Sequence, residues 1–157
     1  MRDRGFTITE LMIAVVIIGI VAAIAAPNFS RLSASLRMNS AARDLASTLQ
    51  LARIKAIAQN TSVRLNFDTK ANTYQLQLSD PAIGWRDVDI ENPKSPEPPQ
   101  PKPLPTGVTF QSITRNPITF SSGRGSAQTS TITLTNPQGK KTEIAVAQTG
   151  RVTIRKD

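Results

Sequence analysis

A predominantly apolar run from Phe6 to Ala26, with one carboxylate near its head at Glu10, constrains this chain more than any other feature. Phe6 to Phe29 is long enough to span a bilayer, which takes about 20 residues at roughly 1.5 Å rise each. Arg2 and Arg4 precede the run and the rest of the chain follows it. The positive-inside rule therefore keeps the short N-terminus in the cytoplasm and sends the C-terminal part across the membrane. Three readings fit such a start: a cleaved signal peptide, a plain anchor, or a subunit whose apolar helix is retained for assembly. Ala23-Ile24-Ala25 matches the small-residue pattern of signal-peptide cleavage. Glu10 speaks against that reading. A carboxylate costs on the order of 2.5–3.5 kcal/mol at the centre of a span, and an ionisable residue in a membrane calls for a partner.

Beyond Pro27 the helical pattern continues. Met38, Ala42, Leu45, Leu49, Ala52 and Ala56 recur at three- and four-residue steps and make an apolar stripe on which a sheet packs. Pro27 lacks an N–H, so a kink is expected there. Asn60 reads as the helix stop. From that point the period changes to two. "SVRLNF" and "YQLQLS" alternate around a turn at 68–72 and read as a hairpin. "GVTFQSI", "PITFSS", "STITLTN", "EIAVAQ" and "RVTIR" are further short strands, divided by Gly, Pro and Asn. Between the two groups, residues 92–105 hold seven of the eleven prolines and read as an extended loop that cannot enter a sheet interior. The fold class is α+β: a long N-terminal transmembrane and amphipathic helix packed against an antiparallel β-sheet domain.

The chain has neither His nor Cys. It thus lacks the commonest general base, the thiolate nucleophile and the usual zinc and iron ligands, and its Asp, Glu, Ser, Thr and Lys form no catalytic constellation. No enzyme activity, metal or cofactor is expected. The net charge of +8 is uneven. Asp80, Asp87, Asp89, Glu91 and Glu97 make the middle acidic. From Thr106 onward seven cationic residues face only Glu143 and Asp157.

The segment "RGFTITELMIAVVIIGIVAAIAAPNF" resembles the N-terminal signature of type IV pilins and type II secretion pseudopilins. Ile8 and Thr9 depart mildly from it, standing where Leu and Ile or Val are common. The resemblance implies that a prepilin peptidase cuts after Gly5 on the cytoplasmic side and that the new N-terminal Phe6 is N-methylated. Glu10 is then the filament-assembly residue, facing the Phe6 ammonium of a neighbouring subunit, and Pro27 is the helix-breaking proline. Two opposite charges at one depth offset the cost of burying either and fix the axial register. "LARIKAIAQNTSVRL", "ITFSSGRG", "STITLTN" and "TGRVTIRKD" are similar to the GspH/FimT branch of minor pseudopilins. On this basis residues 1–5 are a leader, 6–27 the transmembrane segment and 28–157 a periplasmic pilin-like domain.

The resemblance implies a minor subunit of a type II secretion pseudopilus or a type IV pilus, single-pass in a bacterial inner membrane. Its partners are the peptidase, sibling pilins and the inner-membrane assembly platform. Some members of the branch bind DNA during uptake through a Gly-Arg-x-Arg sequence near the C-terminus. Here Gly150 and Arg151 match and Thr153 replaces the second Arg. The alternative is therefore non-specific DNA binding by Arg151, Arg155 and Lys156, extended by Lys140 and Lys141. The competing reading of these cations is a solvated strand edge that discourages aggregation.

Overall fold

The computed structural model describes residues 7–90 and 99–156. They divide into two compact units, Met1–Ser35 and Leu36–Asp157. One helix, α1 (Ile8–Ala58), runs through both. Its start and stop have local causes. At the N-terminus Thr7 and Glu10 form a reciprocal capping box, described below. At the C-terminus Asn60 adopts φ 47°. The Thr61 N–H then donates to Ala56 O and the Asn60 N–H to Ile57 O, the two bonds of a Schellman cap.

In the second unit the stripe on α1 is buried as the periodicity predicts. Met38, Ala42, Leu45, Leu49, Ala52 and Ala56 are each no more than 1% exposed. Each large member contributes on the order of 1.5–3 kcal/mol by leaving water. The alanines, Ala41 and Ala46 included, let the sheets approach the helix axis closely.

Among the described residues, nine strands form two antiparallel sheets: β1 (Val63–Asp68), β2 (Thr73–Asp80), β3 (Gly84–Val88), β4 (Lys102–Pro103), β5 (Thr109–Ile113), β6 (Ile118–Phe120), β7 (Ser130–Thr135), β8 (Lys141–Val146) and β9 (Val152–Lys156). The first sheet runs β3-β2-β1-β6, with β4 also pairing β2. The second runs β5-β7-β8-β9. Leu65, Phe67, Tyr74, Leu76, Ile118 and Phe120 of the first sheet and Ile132, Leu134, Ile144 and Val146 of the second are buried in one core. Phe67 meets Phe110 edge-to-face at 5.6 Å between centroids, joining the two sheets.

Two features depart from the sequence expectation. β3 carries no strand signal in the sequence, because "GWRDV" lacks alternation and its side chains are mostly exposed. The proline-rich segment is tied down at its end, since Lys102 and Pro103 pair with Tyr74 and Thr73. Lys102 Nζ also donates to Asp44 on α1 at 3.1 Å, beside the Tyr74 hydroxyl, which donates to the same carboxylate at 2.8 Å. Proline is tolerated there because β4 lies at a sheet margin. Residues 92–98 of that segment lie outside the described residues.

The β1–β2 turn is held by Asp68, whose Oδ1 accepts from the N–H groups of Lys70 (2.8 Å) and Ala71 (2.9 Å). These donors favour the charged form and hold the carboxyl below the ordinary aspartate range. A depressed carboxyl pKa adds stability that is present above the unfolded value and lost as pH falls through the folded one. Wild type should therefore lose more stability than Asp68→Asn between neutral pH and pH below about 4, since Asn keeps the acceptor without titrating. Urea unfolding at the two pH values checks this. Parallel losses would show that Asp68 does not contribute.

Candidate functional site

Ile8 to Ile24 carries eleven large apolar side chains, and every one is between 55% and 79% exposed. An apolar surface on all faces of a helix requires an apolar environment around it, either lipid or other helices. No single straight helix among the described residues is long and apolar enough to cross a membrane. The arms Ile8–Ile24 and Phe29–Ala58, bent at a short break that contains Pro27, pass that test together.

At the head of this surface Glu10 is locally engaged. Its Oε2 accepts from the Thr7 N–H and from Thr7 Oγ1, each at 3.0 Å. In return Thr7 Oγ1 accepts from the Glu10 N–H at 3.3 Å. This is a capping box in which Thr7 is the N-cap and Glu10 the third helical residue. The carboxylate thus satisfies the N–H of the N-cap residue and the Thr7 hydroxyl satisfies that of Glu10, while the negative charge suits the positive end of the helix dipole. Gly5 and Phe6, expected as the cleavage and methylation positions, lie outside the described residues.

The cationic residues of the tail lie on the last two strands of the second sheet and on the turns beside them. β9 pairs with β8 in a register that sets Arg155 opposite Glu143, Lys156 opposite Thr142 and Val152 opposite Val146. Arg155 therefore faces a carboxylate across the strand pair, which offsets its charge locally. Arg151 precedes the far end of β9, about 13 Å from Arg155 at the strand rise. Lys140 and Lys141 lie at the start of β8, near the Lys156 end. The structure thus brings Lys140 and Lys141 near Lys156 and leaves Arg151 apart from them.

Gly150, the neighbour of Arg151, belongs to a close contact that the sequence does not disclose. Gly150 has φ 76° and Gly125 has φ 60°. A Cβ on Gly150 would overlap the Gly125 carbonyl oxygen and lie 2.8 Å from Arg53 Nε. A Cβ on Gly125 would lie 2.9 Å from Arg53 Cγ and 2.8 Å from Ile57 Cδ1. The Arg53 side chain of α1 is thus packed against both glycine loops, which also join through the Ala127 N–H and Gln148 O. Gly150, which matches a binding motif in sequence, is required here by close backbone approach. Among the described residues no group of three or more Asp or Glu side chains is placed to hold a metal.

Comparison with known proteins fits this architecture. Residues 1–26 match the prokaryotic N-terminal methylation motif. A curated relative, the type IV major pilin protein PilA of Myxococcus xanthus (strain DK1622), is 54% identical over 44 residues, 28% of this chain. The match spans only 20% of that relative's length. Among solved structures, the minor pseudopilin EpsH from the type 2 secretion system of Vibrio cholerae superposes with a TM-score of 0.62. It is 11% identical, over 76% of this chain and 97% of that one. The type IV minor pilin FimU of Pseudomonas aeruginosa (strain PAO1) gives 0.55 at 18% identity, over 79% and 92% of the two chains. These likenesses establish the α+β pilin-type fold. Residues 41–150, which include the buried half of α1 and most of both sheets, match the family described as type II transport protein GspH, and the chain belongs to that family.

Proposed function

We propose that this protein is a minor pilin-type subunit, built into a type II secretion pseudopilus or a type IV pilus and acting there in assembly. The observation that carries the reading is a helix with two different surfaces. From Ile8 to Ile24 its large apolar side chains are exposed on every side, while from Met38 to Ala56 its stripe is the core of a folded unit. A cleaved signal peptide would have no reason to continue as the core helix of the domain it delivers. Retained, the apolar arm holds the subunit in the inner membrane, with the domain outside the cytoplasm, until neighbouring helices replace lipid around it. Pro27 is the source of the bend, because its missing N–H breaks the ladder there. The prepilin peptidase, sibling pilins and the inner-membrane platform are the partners in this scheme.

Processing tests the proposal. The intact mass of protein extracted from membranes should show loss of Met1 to Gly5 and gain of one methyl group on Phe6. Gly5→Val should leave the precursor uncut, because a branched side chain at the cleavage position obstructs the peptidase. A mature chain starting at Ala26 would instead make this an ordinary secreted domain and overturn the reading.

A further inference from the structure

The C-terminal turns of α1 and the two glycine loops carry Arg53, Arg124 and Arg151 on segments without a carboxylate. Arg53 Nε is buried with no hydrogen-bond acceptor. Arg124 and Arg151 each directly follow or precede a glycine that touches Arg53, so their Cα atoms lie about 3.8 Å from those glycine Cα atoms. Both are exposed. The three segments that meet here, residues 45–66, 114–128 and 147–151, contain no Asp or Glu at all. Beside the arginines on the same helix end stand Ile54, 61% exposed, and Ile57, 44% exposed.

We infer that this face, made of Arg53, Ile54, Ile57, Arg124 and Arg151, is a docking surface for an acidic segment of a different protein that also bears an apolar side chain. Arginine is enriched at protein–protein contact centres, and exposed aliphatic side chains beside it gain by leaving water on docking. The planar guanidinium pairs with carboxylates in a defined geometry and tolerates desolvation better than an ammonium does. A phosphate backbone would use the three charges but gain nothing from Ile54 and Ile57, so a protein partner fits the whole surface. A second copy could offer its acidic middle, Asp87 to Glu91, but would bring a net charge of +8 with it, which opposes association. The inference adds a partner to the assembly reading, but its test uses no filament and no processing, so the two fail separately.

The test is a titration of the full chain in detergent micelles, with its isoleucine δ1 methyl groups labelled for NMR. The probe is a short synthetic peptide with glutamates on either side of a leucine. Its analogue with glutamine in place of glutamate and a short DNA duplex are titrated in parallel. The Ile54 and Ile57 methyl signals should shift saturably with the acidic peptide, while the Ile90 signal, beyond β3 toward the end of β2 that lies away from the close of α1, stays in place. Arg53→Gln and Arg124→Gln should each weaken binding by roughly tenfold, the scale of one charge-assisted hydrogen bond. Arg124 is exposed, so Arg124→Gln decides the matter if Arg53→Gln does not fold. The proposal is overturned if the peptide shifts neither signal, if the glutamine analogue acts equally, or if Arg124→Gln binds as well as wild type. Tighter binding of the duplex at the same methyls would make this a phosphate-binding face instead. Shifts that follow protein concentration alone would assign it to a second copy.

Discussion

Gly150→Ala should destabilise the folded unit by about 2–5 kcal/mol, whereas Gly139→Ala should cost only about 1–2 kcal/mol. Both glycines adopt φ near 75° (76° and 75°), so both substitutions meet the same left-handed backbone penalty. They differ in space. Nothing lies within 4 Å of a Cβ at Gly139, while one at Gly150 would run into the Gly125 carbonyl and the Arg53 side chain. A side-chain tip can rotate away, but a carbonyl cannot yield without moving the loop behind it. That displacement carries the cost of overpacking, typically 1–3 kcal/mol. Urea unfolding of the fragment 28–157 measures both losses. Equal losses would mean that the loops at Gly125 and Gly150 part freely, and that Gly150 serves something other than packing.

The same contact shows where sequence reading reached its limit. The stripe from Met38 to Ala56 was legible because residues three and four apart on a helix share a face, and each of its six members is buried. The β1–β2 hairpin was legible because alternation fixes the face of each residue and Asp68 and Asn72 mark the turn. The split into two sheets was hidden, since it depends on β1 pairing with β6 about fifty residues later, and no local period encodes a distant partner. β4 was hidden inside a proline-rich segment that composition alone assigns to a loop. The Arg53 contact was hidden for a third reason. It is made by the absence of two Cβ atoms on loops that only the tertiary fold brings together. Glu10 is a different case. Its capping box is written in the sequence as Thr7-x-x-Glu10, but in an apolar run the eye goes to the cost of the charge and passes over the hydrogen bonds it accepts.

The proposed assembly role of Glu10 is separable from its capping role by substitution. Capping needs an acceptor at the third helical position, and glutamine supplies one as glutamate does. Pairing with the Phe6 ammonium of a neighbour needs a negative charge, which glutamine lacks. Glu10→Gln should therefore insert in the membrane, be cleaved after Gly5 and keep its helix start, yet crosslink to sibling subunits at well below a tenth of the wild-type level. A pair of opposite charges in a low-dielectric medium attracts more strongly than its neutral counterpart, and each 1.4 kcal/mol of difference is about a factor of ten. Glu10→Val should lose both functions. Its helix start should fray in addition to the loss of assembly, which faster amide exchange at Ile8 to Leu11 would detect. The informative result is the difference between the two variants. If Glu10→Gln assembles as well as wild type while Glu10→Val does not, capping alone explains the carboxylate and the inter-subunit charge pair is wrong. If both fail to assemble and only Glu10→Val frays, the charge acts between subunits, and the bonds from Thr7 are what hold the carboxylate in place until a neighbour's ammonium arrives.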